Sequence, residues 1–168
     1  SPSLLAPSVA LPPPLAFPPA GRRRDAASPG MTYGTRLHAA LDWLSSGGDD
    51  GRPPQGIPAA DWPVFRTAAR AILDAPRLKP FFDPAAYRRA LNEVEFALPD
   101  GSVGRIDRLV EMPDGFWVLD YKSGRPAAAL LEAYRAQMEV YRTAVGALFP
   151  GRPVRSWLVF GEGEFMEI

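Results

Sequence analysis

The sequence predicts an α/β or α+β domain built on a mixed sheet. Two helical stripes follow a proline-rich opening, and then three short apolar runs are separated by Pro-Asp-Gly turns. A long helical run then leads into one last apolar run. Consecutive strands joined by tight turns pair antiparallel, whereas a strand reached through a helix can pair parallel, so both kinds of neighbour are expected. With 168 residues, 46% of them hydrophobic, the chain is long enough for one domain with a real core.

Residues 1–30 carry PPP, PP, SP and the basic run Arg22–Arg24. They read as an extended linker without a core of its own, and that basic run reads as solvated. The domain proper is assigned to 31–168. Because the chain begins with Ser1, it is read as the last domain of a longer protein. Over 33–45, Leu37, Ala40, Leu41 and Leu44 share one helical stripe. Residues 45–56, SSGGDDGRPPQG, form a loop. A second helix spans 60–75, with Asp61 as cap and Pro63 early enough to be tolerated. A short helix is expected near 84–90. Strands follow at about 92–98, 103–111 and 116–121, divided by Pro99-Asp100-Gly101 and Pro113-Asp114-Gly115. The long helix, 127–148, carries Leu130, Leu131, Tyr134, Met138, Tyr141 and Val145. Of these, Leu130, Leu131 and Met138 are expected in the core. Residues 156–160, SWLVF, are a final buried strand.

Composition removes several function classes. Nineteen basic and nineteen acidic residues cancel, so any nucleic-acid surface must be local. Without cysteine there is no disulfide, thiolate zinc site, iron–sulfur cluster or cysteine nucleophile. No apolar run approaches the ~20 residues that span a membrane. The prolines and the lack of an early basic region argue against a signal peptide. A cytoplasmic protein is the default.

Residues 117–124, WVLDYKSG, hold the densest chemistry. On a strand, residues two apart point the same way, so Asp120 and Lys122 share a face and Trp117, Leu119 and Tyr121 share the other. An exposed ion pair at a strand end would contribute only ~0–1 kcal/mol. The preceding strand places Asp107 inside an apolar run, where a charge needs a partner, a metal or solvent. Asp107 and Asp120 lie about equally far from the intervening turn, so antiparallel pairing brings them together. Glu93 and Glu95 on the strand before share one face. Converging carboxylates repel unless a divalent cation sits between them. A lysine beside such a cluster can orient a water or offset charge growing on a phosphate.

An acid followed thirteen residues later by acid-x-lysine resembles the PD-(D/E)xK nuclease pattern. The likeness is closest to the RecB/AddA-type nuclease domain at the C-terminus of superfamily I (UvrD/Rep-like) helicases. Its G-x-x-x-H is found at Gly34–His38, its glutamate strand at NEVEF and its G-x-I-D at Gly104–Asp107. Its D-Y-K-S/T-G follows at Asp120–Gly124, and its Q-x-x-x-Y at Gln137 and Tyr141. The resemblance implies an α/β, restriction-endonuclease-like core, a mixed sheet flanked by helices. It implies Mg²⁺- or Mn²⁺-dependent cleavage of DNA, with exonuclease placed ahead of endonuclease, in recombination and double-strand break repair. Glu93 (with Glu95 as fallback), Asp107, Asp120 and Lys122 would be catalytic. His38, Asp107, Asp120 and the Tyr121 carbonyl would hold the metal, and Gln137 and Tyr141 would contact DNA. The expected partners are DNA, helicase domains of the same longer chain and a second helicase–nuclease subunit. No G-x-x-x-x-G-K-[S/T] occurs in the chain, so unwinding would be the task of an upstream part. The alternatives are a catalytically idle domain that binds DNA or a helicase partner, and a free-standing endonuclease.

Overall fold

The computed structural model describes residues 29–98 and 100–168, so nearly all of the expected linker lies outside the described residues. Five strands form one sheet in sequence order: β1 (Arg89–Ala97), β2 (Val103–Met112), β3 (Gly115–Lys122), β4 (Val154–Phe160) and β5 (Phe165–Glu167). The two turns expected from the sequence make β1–β2–β3 an antiparallel meander. Helix α3 (Ala128–Leu148) then carries the chain across the sheet, and β4 pairs parallel to β3, with Leu119 opposite Trp157. The result is the mixed α/β sheet that the element order predicts.

Helices α1 (Pro29–Ser45) and α2 (Trp62–Leu73) cover one face. There Leu37, Ala40, Leu41 and Leu44 meet Val110, Trp117, Leu119, Tyr121 and Val159 in one buried cluster. The other face packs Ile106, Leu109, Phe116, Val118 and Leu158 against Met138, Tyr141 and Val145 of α3. Strand alternation therefore sends Tyr121 into the first layer and leaves Asp120 and Lys122 on the α3 side, as expected.

Four details depart from expectation. No α-helix forms at 84–90. The Asp83 carboxylate accepts from the Ala85 amide in a tight turn, and the Arg88 amide bonds the Glu111 carbonyl, so the segment enters β1 instead. Asp61 stands at the start of α2, but its carboxylate takes Arg36 Nη1 at 2.9 Å and makes no cap bond. Leu130 is 48% exposed, because the first turn of α3 overhangs the sheet and its buried stripe starts at Met138. β5, three residues long, is too short to carry a periodicity signal.

Candidate active site

β2 and β3 pair from Met112↔Gly115 back to Arg108↔Leu119 and part beyond that pair. Asp107 and Asp120 are the next residues on each strand, so they stand at the fork. There the Tyr121 backbone has no β2 partner, and side chains take its polar groups. The Tyr121 amide donates to Asp107 Oδ2 at 2.7 Å, and its carbonyl lies 2.8 Å from His38 Nε2. A carbonyl only accepts, so Nε2 carries the hydrogen and Nδ1 presents its lone pair. Nδ1 lies 3.6 Å from Asp107 Oδ1. One turn earlier on α1, a Cβ at Gly34 would sit 3.3 Å from Ser123 Oγ. The bare glycine thus lets the helix lie close to the end of β3.

Burial governs the protonation of this cluster. Asp107 is pushed well above the usual carboxylate range, first by burial and then by the Asp120 charge. Burial lowers the His38 imidazole below its ordinary value, against the raising effect of the Tyr121 bond. Asp120 is 4% exposed, and its Oδ2 has the Lys122 ammonium against it at 2.7 Å without hydrogen-bond alignment.

On the α3 side a relay of contacts holds Lys122. Its Nζ donates to Gln137 Oε1 at 2.8 Å, and Gln137 Nε2 donates to the Tyr141 hydroxyl at 3.0 Å. The ammonium also lies 4.5 Å from the Tyr134 ring centroid, a favourable cation–π contact. Phe96 packs edge-on against Tyr141 at 5.4 Å. Phe96 in turn lies over Gly104, where a Cβ would fall 2.3 Å from its ring. The glycine of the G-x-I-D stretch is therefore the floor under Phe96, Tyr141, Gln137 and Lys122.

The expected site residues fall into two adjoining groups. His38, Asp107 and Tyr121 meet, and Asp120, Lys122, Gln137 and Tyr141 form one contiguous group beside them. Among the described residues, no three His, Asp or Glu side chains close on one ion position as they stand. Asp107 turns to the Tyr121 amide and Asp120 to the Lys122 ammonium, so the expected convergence is complete only for His38 and Asp107. The Tyr141 ring is 7% exposed, which puts it behind Gln137 rather than at a DNA-facing surface. Glu93 and Glu95 are both exposed; Glu93 pairs with Arg105 Nη1 at 3.7 Å, and Glu95 has Arg105 as its cross-strand partner. By sequence alone Arg105 is one more surface arginine, yet its charge bears on both Asp107 and His38. Tyr134 belongs by sequence to an apolar stripe. Its spacing of three from Gln137 places it on the same helical face, a signal that could have found it.

Two buried carboxylates, an imidazole nitrogen with its lone pair inward and a backbone carbonyl make an oxygen-rich donor set. Such a set suits Mg²⁺ or Mn²⁺. Burial and the Asp120 charge outweigh the Tyr121 amide, Arg105 and Lys122 at Asp107, so its carboxyl stays raised. A family model described as the PD-(D/E)XK nuclease superfamily matches residues 16–165. The chain is also 43% identical over 60 residues to an ATP-dependent helicase/nuclease subunit of Moorella thermoacetica. That match covers 36% of this chain and 4% of the relative, so the chain spans a small part of that protein's length.

Proposed function

Because the chain belongs to the PD-(D/E)XK nuclease superfamily, we propose that it hydrolyses DNA phosphodiester bonds with a bound Mg²⁺ or Mn²⁺. The observation that carries the reading is the meeting of His38 and Asp107 on the Tyr121 backbone, beside the Asp120–Lys122 pair. Asp107, Asp120, His38 and the Tyr121 carbonyl would hold the cation. When bound, it supplies the Lewis acidity that polarises a phosphoryl oxygen and acidifies a water. Lys122 orients the attacking water and offsets charge that grows on the phosphate. Gln137 fixes the ammonium through its carbonyl oxygen, and Tyr141 fixes Gln137. Glu93 acts through Arg105, which tunes the charge of the cluster.

The helicase/nuclease character of the Moorella relative supports a place beside ATP-driven helicase domains. Exonucleolytic work in recombination and break repair is the role we propose for it there.

The test is cleavage of linear DNA at low salt with Mn²⁺, with and without EDTA. Asp120→Ala should abolish cutting and weaken Mn²⁺ binding. Lys122→Ala should still bind Mn²⁺ but lose ~10²–10³ in rate, the usual effect of removing one well-placed electrostatic group. Cutting that survives EDTA, or a Lys122→Ala protein as fast as wild type, would refute the mechanism. A full-length helicase fusion that never cuts would favour the idle, DNA-binding alternative.

A further inference from the structure

We propose that Asn92, with Asp42 and Arg108, positions His38 through α1, one helical turn away on the same side of the sheet; the inference rests on the reading of His38 as a metal ligand. It begins with a break in strand alternation. Asn92 bonds α1, yet Val94, two residues on, packs with the α3-side cluster. Ile106 belongs to that cluster, yet Arg108 donates through Nε to the Phe81 carbonyl in the α1 layer at 3.0 Å. Both strands therefore change sides at one level, between Glu93, whose φ is 51°, and Asp107. The flip turns Asp107 toward the fork and sends Arg108, 2% exposed, under α1.

Arg108 and Asn92 are cross-strand partners, and Arg108 Nη1 donates to Asn92 Oδ1 at 2.7 Å. The two hydrogens of Asn92 Nδ2 are shared among Asp42 Oδ1 at 2.9 Å, Ser45 Oγ at 2.9 Å and Ser46 Oγ at 3.0 Å. A neutral amide thus relays a buried cation to an acid four residues beyond His38, about one helical turn. α1 is pinned to the sheet twice, by Asp42 on Asn92 and by His38 on the Tyr121 carbonyl. A helix moves as a rigid body over one turn, so displacing Asp42 displaces the imidazole. Asn92 is a positioning residue, since it touches neither His38 nor the fork.

The network lines a cavity of about 500 Å³. A carboxylate at position 92 can therefore be hydrated, and Asn92→Asp is expected to fold while setting two acids against each other. Asp42→Asn/Asn92→Asp exchanges the partners. Asp at 92 still accepts from Arg108, and Asn at 42 donates to it. The chain has one histidine, so nitrogen-15 NMR of the imidazole is unambiguous. In metal-free wild type at fixed pH, Nε2 should be protonated and its hydrogen slow to exchange. Asn92→Asp should lose that protection and bind Mn²⁺ at least ~10-fold more weakly, the range seen for groups that orient metal ligands. The double exchange should restore both. Should Asn92→Asp not fold, Asn92→Ser, neutral and too short to bridge, gives the same test. A lower melting temperature with imidazole and Mn²⁺ affinity unchanged would overturn the proposal. So would an exchange that restores stability alone. A wild type that binds no Mn²⁺, while its imidazole still responds to Asn92→Asp, would instead sink the metal reading and keep the positioning.

Discussion

Asp107 serves the site at the expense of the fold. Folded, it binds its proton more tightly than when unfolded, because burial and the Asp120 charge disfavour the carboxylate. Its contribution is therefore favourable below the ordinary carboxylate range and is lost as pH rises through its folded value. Asp107→Asn keeps an acceptor for the Tyr121 amide and removes the repulsion. In metal-free buffer at pH 8 the variant should melt a few degrees above wild type, the shift that about 1 kcal/mol produces in a chain of this size. The gap should close in acid, where wild type is protonated too, and cutting should be abolished. A melting curve equal to or below wild type at pH 8 would contradict this account. Saturating Mn²⁺ should reverse the order: at 100 times the Kd it stabilises wild type by about 2.7 kcal/mol, and the asparagine variant gains little. His38 has the opposite sign. Burial lowers its folded value, so its favourable contribution holds above about 6.5 and fades as pH falls.

The elements explain why scattered short motifs make one machine. Gly104 on β2 admits Phe96 from β1, which braces Tyr141 on α3, which holds Gln137 against Lys122 on β3. Gly104→Ala must move the Phe96 ring, and overpacking of this kind costs ~1–3 kcal/mol. The expected outcome is a slower enzyme with unchanged Mn²⁺ affinity, the same pattern as Gln137→Leu. Isothermal titration with Mn²⁺ beside single-turnover cutting distinguishes it from a metal defect. If Gly104→Ala lost metal binding first, the relay would not be the route. α1 works differently, because its own sequence places Gly34 and His38 on one face and its partner strand supplies the acceptors.

At the scale of the whole chain, zero net charge gives little long-range pull on DNA. Fusion to helicase domains should lower the DNA concentration for half-maximal cutting by more than ~10-fold through effective concentration, with the rate at saturation unchanged. Equal values for the two proteins would mean that the domain captures DNA unaided. Much of this is legible in the sequence, because strand alternation, turn chemistry and the turn-centred symmetry of Asp107 and Asp120 are local. They place the layers, the fork and the shared face of Asp120 and Lys122. The side change at Glu93 and Asp107 is not legible, since period-two reading assumes no break, and without it Arg108 reads as a solvated arginine. The depth of Tyr141 is legible: its place on the apolar stripe of α3 reads as core, and only the resemblance makes it a DNA contact. The order of the strands also bears on folding. Asp107 and Asp120 come together in a hairpin closed by one short turn, whereas Gln137 reaches Lys122 only when α3 crosses and β4 docks in parallel. Contacts across short loops form before those that must close long ones. A chain caught midway would already have its acids gathered and its lysine still loose, so the ability to hold an ion arises in folding before the ability to cut.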